Sequence, residues 1–419
     1  MTWLEKLHHP EYYIKTFLKW AFLSVIVGTV GGLLGAAFHH ALYFVTHVRA
    51  ENDWLIFLLP VGGLLTVAIY QLFGVRRNRG TNEVIDAILE KKPVSPMVAP
   101  AVFLASGLTH LFGGSAGREG AALQIGGSVA SGLGKLLHLK DHNRTILVTC
   151  GMSAVFAGLF GTPLTATIFC MEFVSVGTLF TPALMPCYLS AFLASRVSAA
   201  LGVHAETYFL ETAAALSFGN IGGAVLLAVL VSGLGVVMCH VFHASEHLAA
   251  HHLPNSWVRI AAGGALVTIL TLLVGDQRFN GAGMEMAMEA LGGEADWYSF
   301  AAKMIFTAAT LAAGFKGGEI VPTFCIGATF GCIVGGFLGL DPGIAAALGL
   351  IGLFCCATNS PLASIVLSVE MFGGLNLCLF ALVCVICFVL SGPSGLYASQ
   401  IIKYEKIDRY LFKDQGNVK

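Results

Sequence analysis

Apolar residues in this chain run on rather than alternate. Phe17 to Phe44, Trp54 to Leu72, Ile221 to Val241 and Leu375 to Leu390 are long stretches with few charges, and each is read as a helix crossing a hydrocarbon core roughly 30 Å thick. No stretch shows the two-residue alternation of a half-buried strand, so the pattern predicts an all-α integral membrane protein. Glu206 to Ser217 and Asp276 to Asp296 are more polar connections, and the second is expected at a membrane surface.

The pattern occurs twice. Gly151 to Pro163-Leu164, followed nine residues on by Glu172, recurs as Gly349 to Pro361-Leu362, followed nine residues on by Glu370. Upstream, Gly117-Arg118-Glu119-Gly120 before Gln124-Ile125-Gly126 is matched by Gly317-Gly318-Glu319-Ile320 before Cys325-Ile326-Gly327. The expected organisation is a cytoplasmic N-terminus over 1–19, a first membrane repeat over 20–205, a second over 206–402 and a short cytoplasmic tail over 403–419. Transporters built from repeats place their substrate sites where discontinuous helices meet near the midplane, with free helix N–H groups facing anions.

Composition sharpens this picture. Hydrophobic residues make up 56% of the 419 and charged residues 11%, against roughly a quarter charged in a soluble domain. Fifty glycines suit closely packed and broken helices. The eleven cysteines lack paired spacing and read as core residues of a reduced protein. No removable signal peptide precedes the first apolar run. Basic residues at Arg76, Arg77 and Arg79, at Lys91 and Lys92, at Lys135, Lys140 and Arg144, and from Lys403 onward place those segments and both termini in the cytoplasm. The net charge of −1 adds nothing about partners; no nucleic acid, cofactor or metal is expected.

Glu119 opens the apolar run Ala121 to Leu137, and an acid at membrane depth is expensive enough to be a functional candidate. The bland alternative is a surface pair with Arg118. Glu319 holds the comparable place in the second half, as a second proton carrier or as a stabilising charge at a helix start. Asn82 in Arg79-Gly80-Thr81-Asn82-Glu83 could donate its amide to an anion or serve as an ordinary N-cap. Tyr397, after Gly392-Pro393-Ser394-Gly395-Leu396, reads as a ligand or as an interface anchor.

Two enzyme patterns need weighing. Gly113-x-Ser115-x-Gly117 fits a serine nucleophile with His110 as its base, an intramembrane protease, although the setting is helical. His243-Ala244-Ser245-Glu246-His247, extended by His251, fits an inverted zinc motif without a further carboxylate ligand, and otherwise reads as the His-rich end of a helix.

Gly117-Arg118-Glu119-Gly120, Gly317-Gly318-Glu319-Ile320-Val321-Pro322, both Pro-Leu breaks and Tyr397 together resemble the CLC family of chloride channels and proton-coupled anion antiporters. That resemblance implies an inverted repeat of about eighteen helices of uneven length, several discontinuous, in a homodimer with one pore per subunit. It implies that Glu119 is the gating glutamate and Tyr397 the central-site tyrosine.

Departures from the chloride pattern bear on the substrate. Gly80-Thr81-Asn82-Glu83-Val84 lacks the serine and proline of chloride-selective members, Ala121 replaces a proline, and the inner acid of chloride/proton antiporters falls on Phe173, with Glu172 one place early. These features resemble the bacterial fluoride-exporting branch, whose pattern implies Glu119 and Glu319 for gating and proton transfer, and Gly80, Thr81, Asn82, Ile320, Val321 and Tyr397 around the anion; Val321 stands where part of the branch has threonine. The expected activity is fluoride/proton antiport in the bacterial inner membrane. A chloride/proton antiporter or an anion channel of the same family are the alternatives.

Overall fold

In the computed structural model, residues 10–75, 79–208, 210, 213–403 and 406 are described. Arg76 and Arg77, the first nine residues and most of the basic tail lie outside them. The described residues form sixteen α-helices and one two-residue parallel strand pair.

The first eight helices are α1 (Pro10–Ala50), α2 (Leu59–Leu72), α3 (Thr81–Leu89), α4 (Val98–Leu111), α5 (Glu119–Leu136), α6 (Asp141–Phe160), α7 (Pro163–Glu172) and α8 (Leu184–Ala200). The next eight are α9 (Phe218–His252), α10 (Ser256–Val274), α11 (Met284–Leu291), α12 (Ser299–Ala313), α13 (Ile320–Phe337), α14 (Pro342–Thr358), α15 (Pro361–Phe372) and α16 (Leu377–Leu390). Element by element the second series follows the first: a very long helix, a single span, a helix of two turns, then five more. Seven helical stretches are long and apolar enough to cross a membrane, and Phe22, Phe44, Leu72 and Phe337 are more than half exposed, as side chains facing lipid are. The chain is a multi-pass integral membrane protein.

Helices α6 and α14 are apolar all round, and residues 146–160 and 344–358 are buried on every side. Their partners α5 and α13 cross them at glycines. A Cβ on Gly126 would lie 2.1 Å from the Gly151 carbonyl, and one on Gly327 would lie 2.5 Å from that of Gly349. Both halves therefore need glycine at the same crossing.

The segment 276–296 folds inward at its start and carries α11, while Asp276, Glu285, Glu289, Glu294 and Asp296 are exposed. Phe279 is fully buried, and Asn280 Nδ2 donates to the Gly113 carbonyl at 2.6 Å. Burying backbone here required partners for its polar groups: the Gly281 N–H finds the Gly114 carbonyl in the loop preceding α5, and the Phe279 and Gly281 carbonyls accept from the Lys303 ammonium.

Candidate functional site

The two glycine-rich segments meet. The Gly117 N–H donates to the Gly318 carbonyl and the Gly318 N–H to the Gly117 carbonyl, both at 2.7 Å, in an isolated antiparallel bridge. Helices α5 and α13 start immediately beyond it, so two sets of unpaired N–H groups open beside one point.

Glu119 lies at that point, fully buried. Its Oε2 accepts from the backbone N–H of Arg118 at 3.1 Å and of Val321 at 3.2 Å, while Oε1 has no partner. A Cβ on Gly117 would sit 2.4 Å from Oε2 and one on Gly318 2.7 Å away, so only glycine at both positions leaves room for the carboxylate. Val321 contributes its N–H. The side chains of Ile320 and Val321 are buried in the core. Arg118 does not pair with Glu119 through its side chain: its guanidinium forms an ion pair with Glu206, approaches His39 Nδ1 at 3.4 Å and lies over the Phe160 ring at 5.1 Å.

Asn82, Gly80, Thr81, Glu319 and Tyr397 share the wall of one cavity of about 200 Å³. Gly80, at φ 61°, holds the N-cap position of α3, and no side chain caps that helix, which removes the capping reading of Asn82. The Asn82 Oδ1 instead accepts from the Ser399 N–H at 2.9 Å. That bond fixes the amide, because a backbone N–H can be accepted only by the oxygen, and Nδ2 has no protein partner among the described residues. Thr81 is buried, and its Oγ1 lies 2.9 Å from where a Cβ on Gly120 would be.

Tyr397 is 4% exposed, and its hydroxyl has no partner among the described residues, which contradicts the interface-anchor reading. The segment carrying it is tied down by Leu396 N–H to the Ala357 carbonyl at 2.8 Å and by the Gln400 amide to the carbonyls of Phe173 and Thr358. Its ring packs edge-on against Phe173 at 5.4 Å, and Phe173 stacks on Phe169 at 4.7 Å. The position of the absent inner acid is thus filled by packed aromatic rings. Glu319, at the N-cap of α13, forms no ion pair among the described residues and shares the cavity with Lys316 and Glu246.

Glu172 has a different task. Its carboxylate accepts from the N–H groups of Leu362 and Ala363 at 3.1 and 2.8 Å, and Glu370 accepts from Leu164 and Thr165 at 3.0 and 2.8 Å. Each acid caps the short helix that begins at the other half's Pro-Leu break. The repetition of the two acids was legible in the sequence; their exchange across the repeats was not.

The protease pattern does not assemble. Ser115 Oγ contacts Thr307 Oγ1 and the Lys303 ammonium, each at 3.0 Å, whereas His110 Nδ1 bonds the Ser106 carbonyl. Lys303, which the motifs did not single out, is fully buried and also donates to the carbonyls of Phe279 and Gly281. In the zinc-like pattern His243 Nε2 contacts the Leu396 carbonyl at 3.1 Å, and among the described residues no three metal-ligating side chains are grouped.

Residues 62–392 match the family model described as voltage gated chloride channel. A "Chloride/fluoride channel protein" of Pseudomonas syringae pv. tomato is 31% identical over 417 residues, covering 97% of this chain and 92% of that one. The solved structure described as a CLC-type fluoride/proton antiporter superposes with a TM-score of 0.89 at 31% identity, covering 92% of this chain and 98% of that chain. A slow cyanobacterial Cl−/H+ antiporter superposes with a TM-score of 0.76 at 20% identity, over 89% of this chain and 94% of its own, a likeness of fold.

Proposed function

Since this chain belongs to the voltage-gated chloride channel family, we propose that it is a fluoride/proton antiporter that expels fluoride using the inward proton gradient. Glu119 carries the mechanism. Its ionised carboxylate occupies a cradle of backbone N–H groups between Gly117 and Gly318, which is the coordination an anion in transit needs. Protonation removes the charge that holds it there, so the side chain swings out with a proton and an anion takes its place.

The neighbouring donors favour fluoride. Fluoride holds water tightly, and a selective site must replace that shell with strong donors. Asn82 and Tyr397 line one cavity, and among the described residues neither the Asn82 amide nitrogen nor the Tyr397 hydroxyl has a protein partner. Glu319, on the same wall, serves as the second proton carrier, and Phe173 supports a route that does not use the inner acid of chloride exchangers. Gly80 and Thr81 open α3 toward the anion, and Ile320 and Val321 open α13.

The protein works in the bacterial inner membrane as a homodimer with both termini in the cytoplasm, and its repeats span 20–205 and 206–402. The fluoride relatives support the substrate, and the basic segments support the orientation. The second reading is chloride/proton exchange, and it is favoured by the fold shared with a chloride/proton antiporter. Anion-driven proton uptake in proteoliposomes separates the two, with coupling to fluoride expected to exceed coupling to chloride.

A further inference from the structure

The polar connection between α8 and α9 runs across the end of α6 and into the second repeat. Gly161, at φ 73°, ends α6, and a Cβ on it would lie 2.5 Å from that of Ala205 in the connection. The Glu206 N–H donates to the Phe160 carbonyl at 3.1 Å, the Tyr208 N–H to the Met371 carbonyl at 2.6 Å and the Ala214 N–H to Asn376 Oδ1 at 2.7 Å. The connection is thus a strap, tied to α6 in the first repeat and to α15 and the start of α16 in the second. Helix α6 begins beside Lys140, at the basic face, and its 20 residues carry its other end about 30 Å away. The strap therefore lies on the side of the membrane opposite the basic segments.

This strap delivers a carboxylate to the gate. Glu206 forms an ion pair with Arg118, and each side chain is only 17% exposed. Arg118 also touches the gate, since its backbone N–H donates to Glu119 Oε2. Its guanidinium can only donate, so His39 Nδ1 accepts from it at 3.4 Å, and the Phe160 ring lies 5.1 Å from it. His110 on α4 and Tyr208 on the strap also act on the Arg118 charge, while Glu319 on α13 and Tyr397 act on that of Glu119. Besides Glu206, the carboxylate acting on Arg118 among the described residues is Glu119 itself.

A buried guanidinium that loses its partner is left as an uncompensated charge, and the acid next to Arg118 is the gate. An Arg118–Glu119 pair would hold Glu119 ionised in its glycine cradle. We propose that Glu206 is a positioning residue for the gate: it keeps the Arg118 guanidinium on the strap, so that Arg118 gives Glu119 a backbone N–H without clamping its carboxylate, and Glu119 stays free to take a proton and swing out. The proposal rests on the gating role of Glu119 read above, but not on fluoride over chloride.

The test is the pH dependence of halide flux in proteoliposomes at equal pH on both sides, less the leak of protein-free liposomes. It compares the parent with Glu206→Gln, Arg118→Gln and the double variant. Glu206→Gln should move the midpoint of the profile to lower pH by roughly one unit, the scale of a cation arriving beside a carboxylate. Flux above the midpoint then falls about tenfold, one pH unit being a factor of ten in the protonated fraction, while the maximum reached in acid stays near that of the parent. In the Arg118→Gln background the same substitution should leave the midpoint unmoved, because no guanidinium is there to turn toward Glu119.

Loss of the Glu206 charge by itself would shift the midpoint in both backgrounds, so equal shifts overturn the proposal. An unmoved midpoint in Glu206→Gln overturns it as well, and a lower rate at every pH with that midpoint unmoved marks a packing role instead. A parent whose flux ignores pH sinks the gating role of Glu119 and this proposal with it; a pH-dependent parent with an unmoved Glu206→Gln midpoint sinks only this one.

Discussion

Glu172 and Glu370 cap each other's helices across the repeat: the first accepts from Leu362 and Ala363, the second from Leu164 and Thr165. Both short helices begin at a Pro-Leu break, where N–H groups would otherwise be left without acceptors. Glu172 stands one residue from the position of the inner proton acid in chloride exchangers, yet both its oxygens are committed to α15. Glu172→Gln should lower stability by about 1 kcal/mol, the usual scale of a lost cap, while proton coupling persists. Thermal unfolding in detergent and proton flux in liposomes check the two halves, and loss of coupling in a stable Glu172→Gln protein would return Glu172 to the proton route.

Glu119→Gln removes the exchangeable proton and leaves an amide of the same shape in the glycine cradle. Proton movement should fall to background, and any remaining anion flux should no longer respond to a pH gradient. Proton uptake recorded with a pH electrode distinguishes this from a variant that is merely slower.

Gly318→Ala should act through the same carboxylate. The added methyl would lie 2.7 Å from Glu119 Oε2 and from the Gly120 N–H, and 2.9 Å from the Glu119 N–H, and backbone cannot yield as a flexible side chain would. Coupled transport should drop at least about tenfold, the equivalent of 1.4 kcal/mol, in protein that still purifies as a folded species. Parent-like flux would contradict the glycine cradle.

Tyr397→Phe deletes a hydroxyl without a protein partner among the described residues and leaves the ring packed on Phe173. Stability should stay within about 0.5 kcal/mol of the parent, while fluoride affinity falls roughly tenfold, the scale of one hydrogen bond to a charged group. A matching loss of stability would assign Tyr397 to packing instead. Asn82→Leu, which removes the unpartnered amide nitrogen, should weaken fluoride more than chloride in competition assays.

The duplication made much of this architecture readable in advance. Constant spacing between two Gly-rich motifs and two Pro-Leu breaks required two similar helix series, and the apolar runs placed them in a membrane. Glu119 stood out because a carboxylate in such a run needs a reason. Contacts across the repeats were hidden because they depend on how the halves pack: the Gly117–Gly318 bridge, the exchanged caps, Arg118 paired with Glu206, and Lys303 joining the loop before α5 to the 276–283 segment. Lys303 and Lys316 left a visible trace as single cations among apolar and glycine residues, but no motif marked them. The buried start of the 276–296 segment was hidden for the same reason, since Asn280 meets the Gly113 carbonyl only once the chain is packed, while the acids of the segment stay exposed.

The central claim is tested most directly by imposing equal outward gradients of fluoride and of chloride on proteoliposomes and recording the proton uptake each one drives. Fluoride should drive substantially more uptake than chloride, and Glu119→Gln should abolish it for both. Uptake driven by chloride as strongly as or more strongly than by fluoride would contradict the account.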